Sequence, residues 1–273
     1  MLSKALIAPF VFGALIFLYL AWDVRSDYAL YILPFAIGIV VVYMLGPQID
    51  WWWYQRRPPE LPGMLRHLIN TKFPFYQKLG LEDKTRFRNR MALYMVATEF
   101  MPKGMENVPV DVKGVIAASV VQLTFGLEDY RLSKFERIVV YPHPFPSPQY
   151  PEKWHASENY AEDGVIMFSA EQLMPAFLQP QRYFHTGLYE YARVFRQCYP
   201  GADFPPLGEN DWGTLEQVSG FSKEKIVKWI NLPEVDITAV AVAHFFVFPE
   251  RFKAALPDVY RKLAAVFRQD LAY

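Results

Sequence analysis

The sequence predicts an α+β protein: a mostly helical domain with a small sheet, preceded by a two-helix transmembrane hairpin. Three observations point there. Two uncharged, mostly apolar runs open the chain, residues 5–22 and 28–47. Beyond them apolar residues recur mainly at helical spacing. Only two short runs, Arg137–Tyr141 and residues 164–169, have the composition of strands.

Each opening run reaches roughly the 18–20 residues that a helix needs to cross a bilayer core. The link between them holds Asp23, Arg25 and Asp27 and is so short that the two helices must run antiparallel. A cleaved signal peptide is the alternative for the first run. Against it, Lys4 alone forms the basic n-region, the apolar run is long, and Ala21-Trp22-Asp23 is a poor small-x-small cleavage site. A retained anchor follows. Lys4 precedes the first run, and Arg56, Arg57, Arg66, Lys72 and Lys78 follow the second. The positive-inside rule therefore places the N-terminus and everything after residue 50 in the cytoplasm, as a multi-pass protein. Trp51, Trp52, Trp53 and Tyr54 read as an interfacial aromatic belt; the alternative is that the tryptophans belong to the core of the following domain. Small residues Gly13, Ala14 and Gly38 permit close helix contact but are too few to argue for a membrane partner.

The resulting division is residues 1–50 for the hairpin, 51–62 for the belt and a stiff Pro-rich linker, and 63–273 for the folded domain. Within that domain helices are expected over 64–71, 82–100 and 111–125, the last ended by Gly126 as a C-cap. Phe87, Met91, Tyr94, Met95 and Thr98 give the second its helical spacing. After the strand Arg137–Tyr141, the proline-rich run 142–151 is a surface loop, and 164–169 is the second strand. Helices over 170–177, 183–199, 223–231, 236–247 and 258–267 complete the chain, with a Pro/Gly-rich loop at 200–213.

Composition narrows the function. The chain has 273 residues, 52% apolar and 17% aromatic, enough for a folded core. Lys+Arg and Asp+Glu both number 28, so the basic excess of a nucleic-acid binder is missing. Cys198 is the only cysteine, which excludes an intrachain disulfide and a cysteine-based metal site.

The chemistry is concentrated in Leu188-Tyr189-Glu190-Tyr191-Ala192-Arg193-Val194-Phe195. A zincin helix carries His-Glu-x-x-His, because residues four apart share a face and can grip one metal beside the glutamate base. Here Tyr189 and Arg193 stand in the two histidine positions, and Glu190 in the glutamate position. Arg193, three residues from Glu190, is placed to pair with it and so fill the missing positive charge, with the Tyr189 hydroxyl as a further partner.

With these pieces in order, the domain from about residue 60 to the C-terminus resembles the Mlc titration factor A family of zincin-like peptidases. The resemblance rests on a helix–helix–strand opening, the strand RIVVYP, the strand GVIMFS with Glu171 behind it, and the helix LYEYARVF. It is most specific in the tail ITAVAVAHFFVFPERFKAALPDVYRKLAAVFRQD. The resemblance implies a zincin-like fold, with two ligand histidines falling on Tyr189 and Arg193, the third ligand, a glutamate, on Ala243, and the catalytic glutamate on Glu190. A phenol is a poor zinc ligand, and guanidinium and alanine are none. Only a vestigial Glu190 remains, with no metal and no cofactor.

The expectation is a catalytically inactive pseudopeptidase, anchored in the bacterial inner membrane, that binds or scaffolds a protein partner or membrane complex. The edge of the strand before the helix, Val165, Ile166, Met167 and Phe168, is the expected peptide-binding element by strand addition. The alternative is a membrane-tethered zinc metallopeptidase whose ligands are relocated to His185 and His244. Without such relocation His185 is a helix-entry residue and His244 a partly buried, hydrogen-bonded one.

Overall fold

The computed structural model describes residues 2–272. Its contacts divide the chain into two compact units that meet in sequence at Pro59 and Glu60.

The first unit begins with α1 (Leu2–Asp23), then a 3₁₀ turn (Ser26–Tyr31), α2 (Ile32–Met44) and α3 (Gly46–Arg56). Leu2–Asp23 and Ser26–Met44 are long and apolar enough to cross a membrane, and neither is buried within the protein. The second run was expected as one helix over 28–47. It starts instead as 3₁₀ and breaks at Leu45, because Pro47 has no N–H to continue the ladder of α2. Trp51–Tyr54, expected in the belt ahead of the linker, are accordingly helical, with Arg56 over the Trp52 ring (4.0 Å) and Arg57 over Trp53 (4.6 Å). The helices interlock reciprocally: a Cβ on Gly13 would lie 2.2 Å from the Phe35 ring, and one on Gly38 would lie 2.5 Å from Phe10. Ser3 donates to Asp50 from both its backbone N–H (2.9 Å) and its hydroxyl (2.7 Å), joining α1 to α3.

The second unit opens with α4 (Gly63–Lys72), α5 (Pro74–Lys78) and α6 (Leu81–Ala97). Then come β1 (Glu99–Pro102), α7 (Val110–Leu123), β2 (Arg137–Tyr141), β3 (Ser157–Tyr160), β4 (Val165–Ser169) and α8 (Ala170–Leu178). The chain closes with α9 (Thr186–Cys198), α10 (Trp212–Ser219), α11 (Lys223–Ile230), α12 (Ile237–Val247), α13 (Pro249–Ala255) and α14 (Pro257–Phe267). The sheet order is β1-β2-β4-β3, with β3 antiparallel to β4 and the other pairs parallel.

Alternation along the strands divides their side chains between two faces. Ile138, Val140, Ile166 and Phe168 point into the helical core, where α7 is buried almost all round. Val139 and Met167 point the other way, under Phe145, whose ring stacks on Tyr141 at 4.3 Å. The proline-rich loop thus covers a sheet face, pinned by a bridge between Phe145 and His155.

Two strands were not expected: Glu99–Pro102 begins inside the expected helix 82–100, and Ser157–Tyr160 falls where no element was expected. The expected C-cap Gly126 has another role. Its φ is not positive, Thr124 is the cap of α7, and a Cβ there would fall 2.3 Å from the Arg268 carbonyl oxygen. Glycine is required by the approach of the C-terminal backbone.

Candidate functional site

Helix α9 carries the site, and its position follows from small residues and caps. His185 is its N-cap, with Nδ1 accepting the Leu188 N–H at 3.1 Å. A Cβ on Gly187 would lie 2.7 Å from the Ser119 Oγ, so glycine lets α9 lie close on α7. Thr186 to Ala192 are all buried. Tyr191 shares a 2.8 Å hydrogen bond with Tyr94, and burial raises the pKa of both phenols, Tyr94 to about 12.

Glu190 is fully buried, so its carboxylate must be satisfied from within the protein. It is. Ser157 Oγ donates to Oε2 at 2.7 Å, and Asn159 Nδ2 donates to Oε1. Arg193 Nη1 donates to both oxygens, at 3.1 and 3.3 Å. The Arg193–Glu190 pairing expected from spacing is present, and Glu190 raises the guanidinium pKa against the opposing effect of burial. Gln197 Nε2 in turn donates to Asn159 Oδ1 at 2.8 Å. One helix and one strand share a single polar network.

Tyr189 differs from expectation. Its hydroxyl does not meet the Arg193 guanidinium, which lies 5.8 Å from its ring, but accepts the Asp236 backbone N–H at 3.2 Å. Burial raises its pKa, which keeps the phenol neutral. Asp236 caps α12 by accepting from Thr238 and Ala239 N–H and pairs with Arg196, so the tyrosine ties α9 to the start of α12. Ala243, on α12, is buried and offers no donor atom.

The remaining candidates separate. His244 is buried, but it is not hydrogen-bonded as expected: neither ring nitrogen has a partner among the described residues. The rings of Phe184, Phe221 and Phe248 surround it, and burial lowers its pKa to about 3. Burial likewise lowers His185 to about 4, and its Nδ1 is occupied by the helix cap. Among the described residues no three His, Cys, Asp or Glu side chains gather as a metal site.

The expected peptide-binding edge, Val165 to Phe168, is corrected by the sheet order. Strand β4 is an inner strand, hydrogen-bonded to β2 on one side and β3 on the other. The edges belong to β1 and to β3, and β3 is the strand that delivers Ser157 and Asn159 to Glu190. An Asp163-Gly164 turn between two short runs was the signal for it.

Comparison with known proteins gives one family. The model of the glucose-regulated metallo-peptidase M90 family matches residues 49–192, and no curated protein matches the chain. The match takes in the sheet, Tyr189 and Glu190. It stops short of the tail, expected to be the most specific part of the resemblance, and so of Arg193 and Ala243. Spanning more than half the sequence around a helix in the metal-helix position, it shows that this chain belongs to the M90 family, the zincin-like metallopeptidases typified by Mlc titration factor A.

Proposed function

We propose that the protein is a membrane-anchored M90 domain that serves as a non-catalytic binding or scaffold module. One observation carries this reading: the Arg193 guanidinium, at a position where the resemblance implies a ligand histidine, is hydrogen-bonded to both carboxylate oxygens of Glu190. The family implies zinc, and the residues present do not fit it. A cation next to Nη1 would be repelled, Tyr189 is committed to Asp236, and Ala243 supplies nothing. Nor can Glu190 serve as a base for bound water while it accepts from Ser157, Asn159 and Arg193.

The two apolar helices support anchoring, and the basic residues that flank them support a cytoplasmic face of a bacterial inner membrane. A protein partner or membrane complex is the natural occupant, with the outer edge of β3 as one element for it to pair with.

The test is metal content and peptidase activity of the detergent-solubilised full chain after exposure to zinc and desalting. Substoichiometric zinc and intact peptide substrates are expected. One zinc per chain with cleavage abolished by Glu190→Gln would make the protein a peptidase and overturn the proposal.

A further inference from the structure

The cleft beside the Glu190–Arg193 pair holds binding capacity that the pair leaves unused. It encloses about 740 Å³, and its walls include Arg193, Arg196, Gln197, Phe204, Glu234 and Asp236. Arg193 links the buried network to this cleft: its side chain is 26% exposed, whereas that of Glu190 is 0% exposed. Glu190 engages only Nη1. Nε and Nη2 donate to no described residue. Those two groups are the side-on fork of a guanidinium, two parallel N–H bonds spaced to meet both oxygens of a carboxylate.

The fork is also held in place. Glu190 fixes one end of the guanidinium, and the Tyr189 ring lies 5.8 Å from it. Tyr189 is itself tethered through its hydroxyl to the Asp236 backbone. A donor pair whose orientation is set beforehand loses little entropy when it binds.

Charge narrows the ligand. Arg196 is neutralised by Asp236, and Lys262 lies 4.0 Å from Asp203 on the rim. Glu234, also on the rim, is exposed and has no ion pair among the described residues. Near these carboxylates a dianion such as phosphate meets more repulsion than a monoanion does. We propose that the cleft binds a carboxylate-bearing ligand, the C-terminus of a peptide or a small free acid, on the Nε–Nη2 edge of Arg193. This rests on the reading that arginine, not metal, occupies the site.

The experiment uses the full chain in detergent micelles and two fluorescein-labelled tetrapeptide pools, one ending in a free carboxylate and one amidated. Anisotropy should show the free-acid pool binding at least about tenfold more tightly, as a charge-assisted bidentate pair implies. Arg193→Lys retains the charge toward Glu190 but not the fork, and should erase the difference, with a cooperative thermal melt showing that the variant is folded. Glu234→Gln, at an exposed position, should tighten free-acid binding roughly two- to fivefold at low salt. Competition by acetate would identify a small acid as sufficient, and its failure would point to a peptide terminus. Equal binding of the two pools, no binding of either, a preference that survives Arg193→Lys, or phosphate competing better than acetate would overturn the proposal. Cleavage of the pools would instead overturn the non-catalytic reading, so the two failures are distinguishable.

Discussion

A buried carboxylate and a buried imidazole meet opposite fates in this protein. Glu190 has donors for both oxygens, whereas neither nitrogen of His244 has a partner among the described residues. A lone ring among Phe184, Phe221 and Phe248 is held neutral, with its pKa lowered to about 3. The unfolded chain protonates that ring near pH 6.5, the folded chain only near 3, so the unfolded state binds more protons in between. Stability from this group is therefore full above pH 6.5 and is lost as pH falls toward 3. His185, lowered to about 4, adds a loss of the same sign. His244→Leu should raise the midpoint of thermal unfolding at pH 7, since two unpaired buried polar atoms are removed, each costing about 1–3 kcal/mol. It should also flatten the fall in stability between pH 6 and 4. A melt series that keeps the wild-type acid slope would show that His244 is not its source. Glu190, Arg193 and their spacing were legible in the sequence, as local i,i+3 geometry. Ser157 and Asn159 were not, because they lie more than thirty residues away and reach Glu190 only through the fold of β3.

At the scale of elements, close approaches decide what sits where. Gly187 seats α9 on α7, and Gly13 and Gly38 each receive a phenylalanine from the opposite helix of the hairpin. The space above these two glycines is therefore filled from within the hairpin. Gly126 admits the Arg268 and Phe267 carbonyls, both backbone atoms that cannot rotate aside as a side chain can. Gly126→Ala should thus destabilise by roughly 1–3 kcal/mol, as overpacking does, measured by thermal unfolding. An unchanged melt would mean that the C-terminal segment moves freely. Helix positions were legible because 3.6-residue periodicity is a local property. Strand β3 was hidden because Ser-Glu-Asn-Tyr is polar on both parities, and its polar groups are buried against a helix and a loop that lie elsewhere in the sequence.

For the whole molecule, the two units pose separate physical problems. The first exposes apolar helices of 22 and 19 residues, which a bilayer would cover. The proposed topology places residue 2 and the segment near residue 60 on one side, and the link around Asp27 on the other. Single cysteines at these places, in a Cys198→Ser background, should react with a membrane-impermeant maleimide accordingly in intact cells and inverted vesicles. Labelling of all three from one side would reject the hairpin. The second unit buries its helices and half-sheet around one apolar core, with α7 and α9 at its centre.

The sequence by itself determined the two apolar runs, the helical character of the domain and, through its motifs, the family. These depend on composition, period and spacing along a few neighbouring turns. Tertiary structure alone decided that β4 is an inner strand, that β3 supplies the donors for Glu190, and that Tyr189 turns to Asp236. It also decided that Arg193, bound through Nη1 to Glu190, lines a cleft together with Arg196 and Asp236. Hydrogen bonds between distant residues depend on which elements pack together, and that outcome is set by the sum of burial over the whole core, not by any local pattern.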